Sequence, residues 1–228
     1  CYAEVKGNTA VLVEVNCESD FVSKGEMFLA FVKEVAAYIF EHDVKDVEEV
    51  IEAMKGKTTE AIQKIGENIK IRRYEKYVSD QAISTYIHMG GKIGVVVECA
   101  AGVSDETIHD VALQIAAAKP LYVKDEEVPA DVIEKEKEIL LAQIKNDEKL
   151  ANKPAQVIDK MVEGKVKKYY EENCLLNQAF VKDPSVTVGA LLKKENSTVL
   201  RFTRYEMGEG LEKKTNDFAA EVEAQMKK

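Results

Sequence analysis

A chain of 228 residues, 46% hydrophobic and 32% charged, has room for one large domain or two small ones and for a sizeable core. Its net charge of -9 excludes a general nucleic-acid binder, which needs a basic face, and no apolar run approaches the ~20 residues that span a bilayer. The 4 cysteines (Cys1, Cys17, Cys99 and Cys174) are scattered without a C-x-x-C pair, which excludes a disulfide framework or a thiolate metal site and points to buried thiols in a reducing compartment.

Cys1 stands where an initiator Met is usual, so a fragment or a processed form is expected. "NTAVLVEVNC" alternates, with Val11, Val13 and Val15 on one face, and predicts a half-buried strand. In "NCESDFVSKGEMF" Ser23 and Glu26 have the spacing of a capping box, with Val22 and Met27 as the flanking hydrophobic staple. A helix is therefore expected from Ser23 to about Glu41, its apolar face formed by Phe28, Phe31, Val32, Val35 and Ile39. Two shorter helices are predicted over Val47 to Met54 and Thr58 to Ile65, the second stopped by Gly66. "ENIKIRRYEKYV" alternates again; its Lys70, Arg72 and Arg73 fit strand alternation better than a nucleic-acid patch.

The second half repeats the scheme. "STYIHMGGKIGVVVEC" holds two strand-prone runs around Gly90-Gly91, a hairpin signal. A helix follows from Ser104 to Ala118, closed by Lys119-Pro120, and "VLRFTRYEMG" is a final strand. "IKIRRYE" parallels "LRFTRYE", and "VLVEVNC" parallels "VVVECAA" around Glu14 and Glu98, which suggests a duplication. Between residues 130 and 173, Ile133, Leu140 and Ile144 face Ile158, Met161, Val162, Val166 and Tyr169 across "ANKPAQ". That spacing predicts an antiparallel helical hairpin with a narrow apolar seam, coiled-coil-like, whose removal should spare the body. A last helix is expected from Lys214 to Lys227. The fold class is thus α+β: two similar subdomains with antiparallel sheets, 1–81 and 82–207, the hairpin inserted at 130–173, and a C-terminal helical module at 208–228.

Catalytic motifs are sparse. There is no phosphate-cradling glycine loop; "GGKIG" has the wrong spacing. Of the 3 histidines, His42 and His109 lie in polar helical contexts and His88 adjoins the hairpin turn. A nucleophile built from Cys17 and His88 has no supporting motif. No cofactor and no metal ligand set is expected, and a protein-binding role is favoured over an enzyme. Phe21, beside Asp20, then draws attention. Burial of its ring is worth about 1.5–3 kcal/mol. It either tucks under the first helix, with Asp20 in an Asx-turn, or anchors into a pocket of another protein.

"VEVNCESDFVSK" strongly resembles the signature of the elongation factor Ts family, with Ser19 where the family usually has Thr. "KIGENIKIRR", "YIHMGGKIGVVVE", "AAAKPLYV", "KMVEGKVKKYYEE", "VKDPSVTVGALL" and "RFTRYEMGEGLEKKTNDFAAEV" are similar to further family segments, in family order. The resemblance implies a guanine nucleotide exchange factor, not an enzyme, whose partner is the translational GTPase elongation factor Tu. It implies that Asp20, Phe21, Val22 and Ser23 form a wedge driven between two helices of the GTPase domain, near its Mg²⁺ site. Ile65 and Gly66 match a second contact, and His88 a contact from the second subdomain. The C-terminal helix is implied to dock on the partner. The family usually begins with a small helical domain that also grips the partner. The sequence begins at "CYAEVKGN", just before the core, so that grip is expected to be missing, which puts affinity in question more than mechanism. No direct nucleic-acid or membrane contact is expected; a homodimer is compatible with the sequence. The expected location is the bacterial cytoplasm, with a processed organellar form as the other source. A scaffold protein of the same fold without exchange activity is the competing reading.

Overall fold

The structure is a computed structural model, described over residues 1–147, 150 and 152–211. It is α+β, built on two three-stranded antiparallel sheets. The first contains β1 (Tyr2–Lys6), β2 (Thr9–Asn16) and β3 (Lys70–Val78), with β2 central. Between β2 and β3 run the short α1 (Asp20–Ser23), then α2 (Glu26–Glu41) and α3 (Val47–Ile65). The second sheet places β5 (Ile93–Cys99) between β4 (Ala82–His88) and β8 (Val199–Glu206). The long connection from β5 to β8 carries α4 (Asp105–Ala118), α5 (Ala130–Asn146), α6 (Ala155–Asn173), the small β6–β7 pair (Ala179–Phe180, Asp183–Thr187) and α7 (Val188–Lys194). The helix expected over Lys214 to Lys227, and with it nearly all of the 208–228 module, lies outside the described residues.

Each central strand is buried on both faces, where alternation predicts only one. Val11, Val13 and Val15 pack on α2 and α3 as expected, with Phe28, Phe31, Val32, Val35 and Ile39 completing that core. Ala10 and Leu12 on the other face are equally buried, because the second sheet covers them: with Tyr77 of β3 they meet Val96 and Tyr205 of that sheet. The sheets approach so closely that a Cβ on Gly94 would stand 2.6 Å from Leu12 Cδ1. Only glycine leaves that space.

Residues 47–65 form one helix, not two. Asp46 caps it, accepting from Glu49 N at 2.9 Å, and Gly66 ends it in the left-handed region at φ 82°. The interior Gly56 costs about 1 kcal/mol of helix propensity, and burial of Val50 and Met54 against the core on the turns before it outweighs that. At the far end of α2, Lys76 Nζ donates to the carbonyls of Ile39 (2.8 Å) and His42 (2.9 Å), placing a cation on the helix C-terminus.

Two buried carboxylates join the sheets. Glu14 is 0% exposed and accepts from Arg72 Nη1 (2.8 and 3.1 Å), Arg73 Nε (2.6 Å), Asn16 Nδ2 (3.1 Å) and Gly208 N (3.0 Å). Arg73 in turn lies 4.0 Å over the Tyr205 ring of the other sheet. Glu98 repeats the pattern with the roles exchanged: it accepts from Ser79 Oγ and from Arg201 Nε, and Arg201 lies 3.9 Å over Tyr77. Both carboxylates sit at a β-bulge, at Glu14/Val15 and Glu98/Cys99, and pair in register with Arg73 and Arg201 respectively. The internal likeness at Glu14 and Glu98 is therefore matched in structure. The shared Arg-Tyr-Glu is not: Tyr74 faces Val13, whereas Tyr205 faces Gly94, and the structural counterparts are Arg73 with Arg201 and Tyr77 with Tyr205.

The helical hairpin is rooted in the body. Val128, Ile133 and Cys174 are buried beneath Val166, Tyr169 and Tyr170, and the Asn173 carbonyl accepts from Leu121 N (2.8 Å) and Tyr122 N (3.1 Å). Excision of residues 130–173 removes most of this small core, including Ile133, Val166, Tyr169 and Tyr170, so it is expected to lower the melting temperature clearly. Shortening the hairpin beyond Glu136 and Lys165, which pair at 3.4 Å, should leave the melt near that of the full chain.

For Glu14, burial pulls the carboxyl pKa upward, but the Gly208 N–H, Arg72, Asn16 and Arg73 outweigh it and hold the group below its ordinary 4.5. A carboxyl lowered in the folded state stabilises the fold fully above the unfolded value and ceases to do so as pH falls through the folded one. Glu14→Gln is expected to cost about 3 kcal/mol in urea unfolding at neutral pH. That gap should narrow as the pH is taken below 4.5.

Candidate functional site

The segment leaving β2 turns into α1 within three residues. Glu18 N (3.0 Å) and Ser19 N (2.9 Å) both donate to Glu67 Oε2, and Ser19 Oγ donates to Glu67 Oε1 at 2.6 Å. The same Ser19 hydroxyl oxygen accepts from Val22 N (3.3 Å), and the Ser19 carbonyl accepts from Ser23 N (3.2 Å). Ser19 is thus the N-cap of a four-residue helix. Cys17 Sγ donates to the Ser19 carbonyl at 3.3 Å and braces the entry.

The capping box expected at Ser23 and Glu26 does not form. Ser23 is the last residue of α1, and its hydroxyl donates back to the Asp20 carbonyl at 2.9 Å. The second helix begins after Gly25, which supplies no side-chain cap. A Cβ on Gly25 would lie 3.2 Å from the Val22 carbonyl, so the corner between α1 and α2 is tight. The staple fails as well: Val22 packs on the α2 core, but Met27 is 59% exposed.

Phe21 is 86% exposed. The ring does not tuck under α2, and Asp20 makes no Asx-turn; its carboxylate lies 3.9 Å from Lys24 Nζ in an exposed pair of little energetic weight. Ile65 and Gly66 close α3, with Ile65 half-buried and Gly66 exposed. Because Glu67 follows directly, the structure brings residues 20–23 and 65–66 together. Met27, Phe31, Ala61 and Ile65 continue the apolar surface into a groove of about 370 Å³ between α2 and α3.

His88 stands on the other sheet, at the end of β4. Its Nδ1 lies 3.2 Å from Tyr86 Oη, with the two rings stacked at 5.8 Å. Its turn is tied to the first sheet by the Cys1 amine, which donates to the Gly91 carbonyl at 2.6 Å. Tyr2 faces Val13, so the turn lies beside the half of β2 that leads to α1. No hydrogen bond or ion pair links His88 to residues 20–23 among the described residues. Met89, beside it, is a further exposed apolar side chain.

Glu67 is the residue that sequence reasoning missed. Its carboxyl is held below the usual range by the Ser19 hydroxyl and by the Ser19 and Glu18 amides. Nothing local in "KIGEN" points to a partner 48 residues away.

A larger cavity, about 660 Å³, lies along α6, where Val162, Val166, Tyr170 and Leu176 are joined by Asp125, Lys137 and Glu163. No helix among the described residues is long and apolar enough to cross a membrane.

The family model for Elongation factor TS matches residues 18–209, from the Glu67-bound amide of Glu18 to the Glu209 carbonyl that accepts from Arg72. The chain belongs to the elongation factor Ts family. It is similar to Elongation factor Ts of Teredinibacter turnerae (46% identity, covering 96% of this chain and 74% of that protein). It is likewise similar to those of Halorhodospira halophila (44%; 97% and 76%) and Methylococcus capsulatus (46%; 97% and 76%). The resemblance drawn from "VEVNCESDFVSK" and its companions therefore holds along the chain, which is a translation elongation factor of this family.

The thiols bear on the enzyme alternative. Burial pushes Cys99 up to about 12 and Cys174 up to about 11, and burial followed by the Glu67 charge raises Cys17. At pH 7.5 a thiol-specific reagent is expected to modify Cys17 more slowly than free cysteine, and to reach Cys99 and Cys174 only on unfolding. Fast modification of Cys17 would revive the nucleophile.

Proposed function

We propose that this protein is the guanine nucleotide exchange factor of elongation factor Tu, working in the bacterial cytoplasm, and that Phe21 is its wedge. The reading rests above all on one observation: a ring 86% exposed at the tip of a short helix whose base is held by five hydrogen bonds. A soluble fold gains nothing from presenting a phenylalanine this way, whereas an interface gains an aromatic anchor that is already ordered. Membership of the elongation factor Ts family supports elongation factor Tu as the partner.

The chemistry follows from the partner's own constraints. The GTPase holds its nucleotide phosphates with Mg²⁺, which demands near-ideal octahedral oxygen ligands. Phe21, entering between the helices that carry those ligands, separates them, and small displacements weaken the ion and then GDP. Val22 and Ser23 seat the base of the wedge; Ile65 and Gly66 meet the same surface; His88 contributes a contact from the second sheet. The factor binds the nucleotide-poor GTPase better than the GDP-bound one. Coupling is reciprocal, so an incoming nucleotide expels the factor by the same ratio.

Phe21→Ala should reduce stimulated release of mant-GDP from elongation factor Tu by about thirtyfold, the loss of a hot-spot side chain. Its stability should stay within about 0.5 kcal/mol of the parent, because the ring contributes nothing to the core. Normal exchange per folded molecule would overturn the wedge, and partner binding without any exchange would favour the scaffold reading.

A further inference from the structure

We infer that Glu67 is a positioning residue for exchange: its carboxylate pre-orders the wedge by holding the Ser19 cap. The inference rests on the exchange reading above and concerns how Phe21 is held, which neither the family match nor the relatives assign.

A four-residue helix has no stability of its own, since nucleation costs more than its few hydrogen bonds return. Something outside must hold α1, and the contacts identify it. Ser19 has a single hydroxyl proton, and Glu67 Oε1 takes it at 2.6 Å. With the proton committed, the oxygen lone pairs turn to Val22 N, so the cap depends on the carboxylate. Glu67 Oε2 meanwhile takes the two amides that precede the helix, Glu18 N and Ser19 N. Three bonds to one ionised group are stronger than neutral ones and fix the direction in which the chain enters α1.

The placement of Glu67 is itself determined. Gly66 takes the left-handed conformation that ends α3, and the next residue is thrown toward the end of β2. The carboxylate thereby joins the wedge to the Ile65–Gly66 corner. Without it, Phe21 must be ordered at the moment of binding, and the cost appears as weaker or slower engagement of the GTPase.

The test is a double-mutant cycle on stimulated mant-GDP release, with melting temperatures measured in parallel. Glu67→Ala should slow release by about tenfold, comparable to losing a charge-assisted anchor. Ser19→Ala should do the same in part, and Ser19→Thr, which keeps the hydroxyl, should restore it. In the Phe21→Ala background Glu67→Ala should add nearly nothing, because there is no ring left to position. A full additive loss in the double variant would mark Glu67 as acting on general structure and overturn the inference. Wild-type exchange by Glu67→Ala, alongside a defective Phe21→Ala, would overturn the positioning role alone. Wild-type exchange by Phe21→Ala would overturn the functional reading instead. If Glu67→Ala melts too low to assay, Glu67→Gln keeps an acceptor for the two amides. It should show an intermediate loss at a normal melt, and unchanged exchange there would again refute the role.

Discussion

The frame depends on two buried carboxylates, each neutralised on its own sheet and pressed through an arginine against the other. Glu14, Arg73 and Tyr205 form one stack; Glu98, Arg201 and Tyr77 form its counterpart in the opposite sense. A charge held this deep is tolerable only when its lone pairs are met, and Glu14 meets them with two guanidiniums, an amide side chain and a backbone N–H. Those partners come from β2, from β3 and from the chain just beyond β8. Satisfying one carboxylate therefore fixes three segments at once, and the bulge at Glu14/Val15 sets the direction in which β2 leaves the sheet.

That exit leads straight to α1 and the exposed Phe21, the proposed wedge. Two residues after Asn16 the backbone is claimed by Glu67, and a further residue on the cap of α1 begins. The fold thus spends its rigidity at one end, where an exposed aromatic side chain would otherwise be a liability. His88 and Met89 approach the same end from the second sheet through the Cys1–Gly91 link. Across the molecule the Gln114 and Gln178 side chains, buried between α4 and the foot of α6, tie the hairpin base to the body in a comparable way.

Much of this was legible in the residues, and the misses share a cause. The face of α2, the Gly90-Gly91 turn, the stop at Gly66 and the hairpin seam all arise from spacing within one element, and spacing can be read. The double burial of β2 cannot, since Ala10 and Leu12 are ordinary sheet residues until a second sheet covers them. Ser23 was the better local cap by motif; Ser19 won because Glu67 reaches it from another helix end. The two helices expected over 47–54 and 58–65 are one, with Gly56 absorbed by a helix whose neighbouring turns are packed. The exposure of Phe21 lay between these cases: its lack of a local task was visible, but only the Ser19 cap and the tight corner at Gly25 show how α1 is set so that the ring points outward.

In the role proposed for it, Phe21 pries another molecule open, and whatever it pushes pushes back. The Val22 carbonyl rests on Gly25 N at 2.8 Å, so recoil passes from α1 into the head of α2. That helix runs its 16 residues, about 24 Å, along the sheet and ends against Lys76, whose ammonium grips the Ile39 and His42 carbonyls. The second helix is a strut, loaded at one tip and footed at the other on the strand that also carries Arg73.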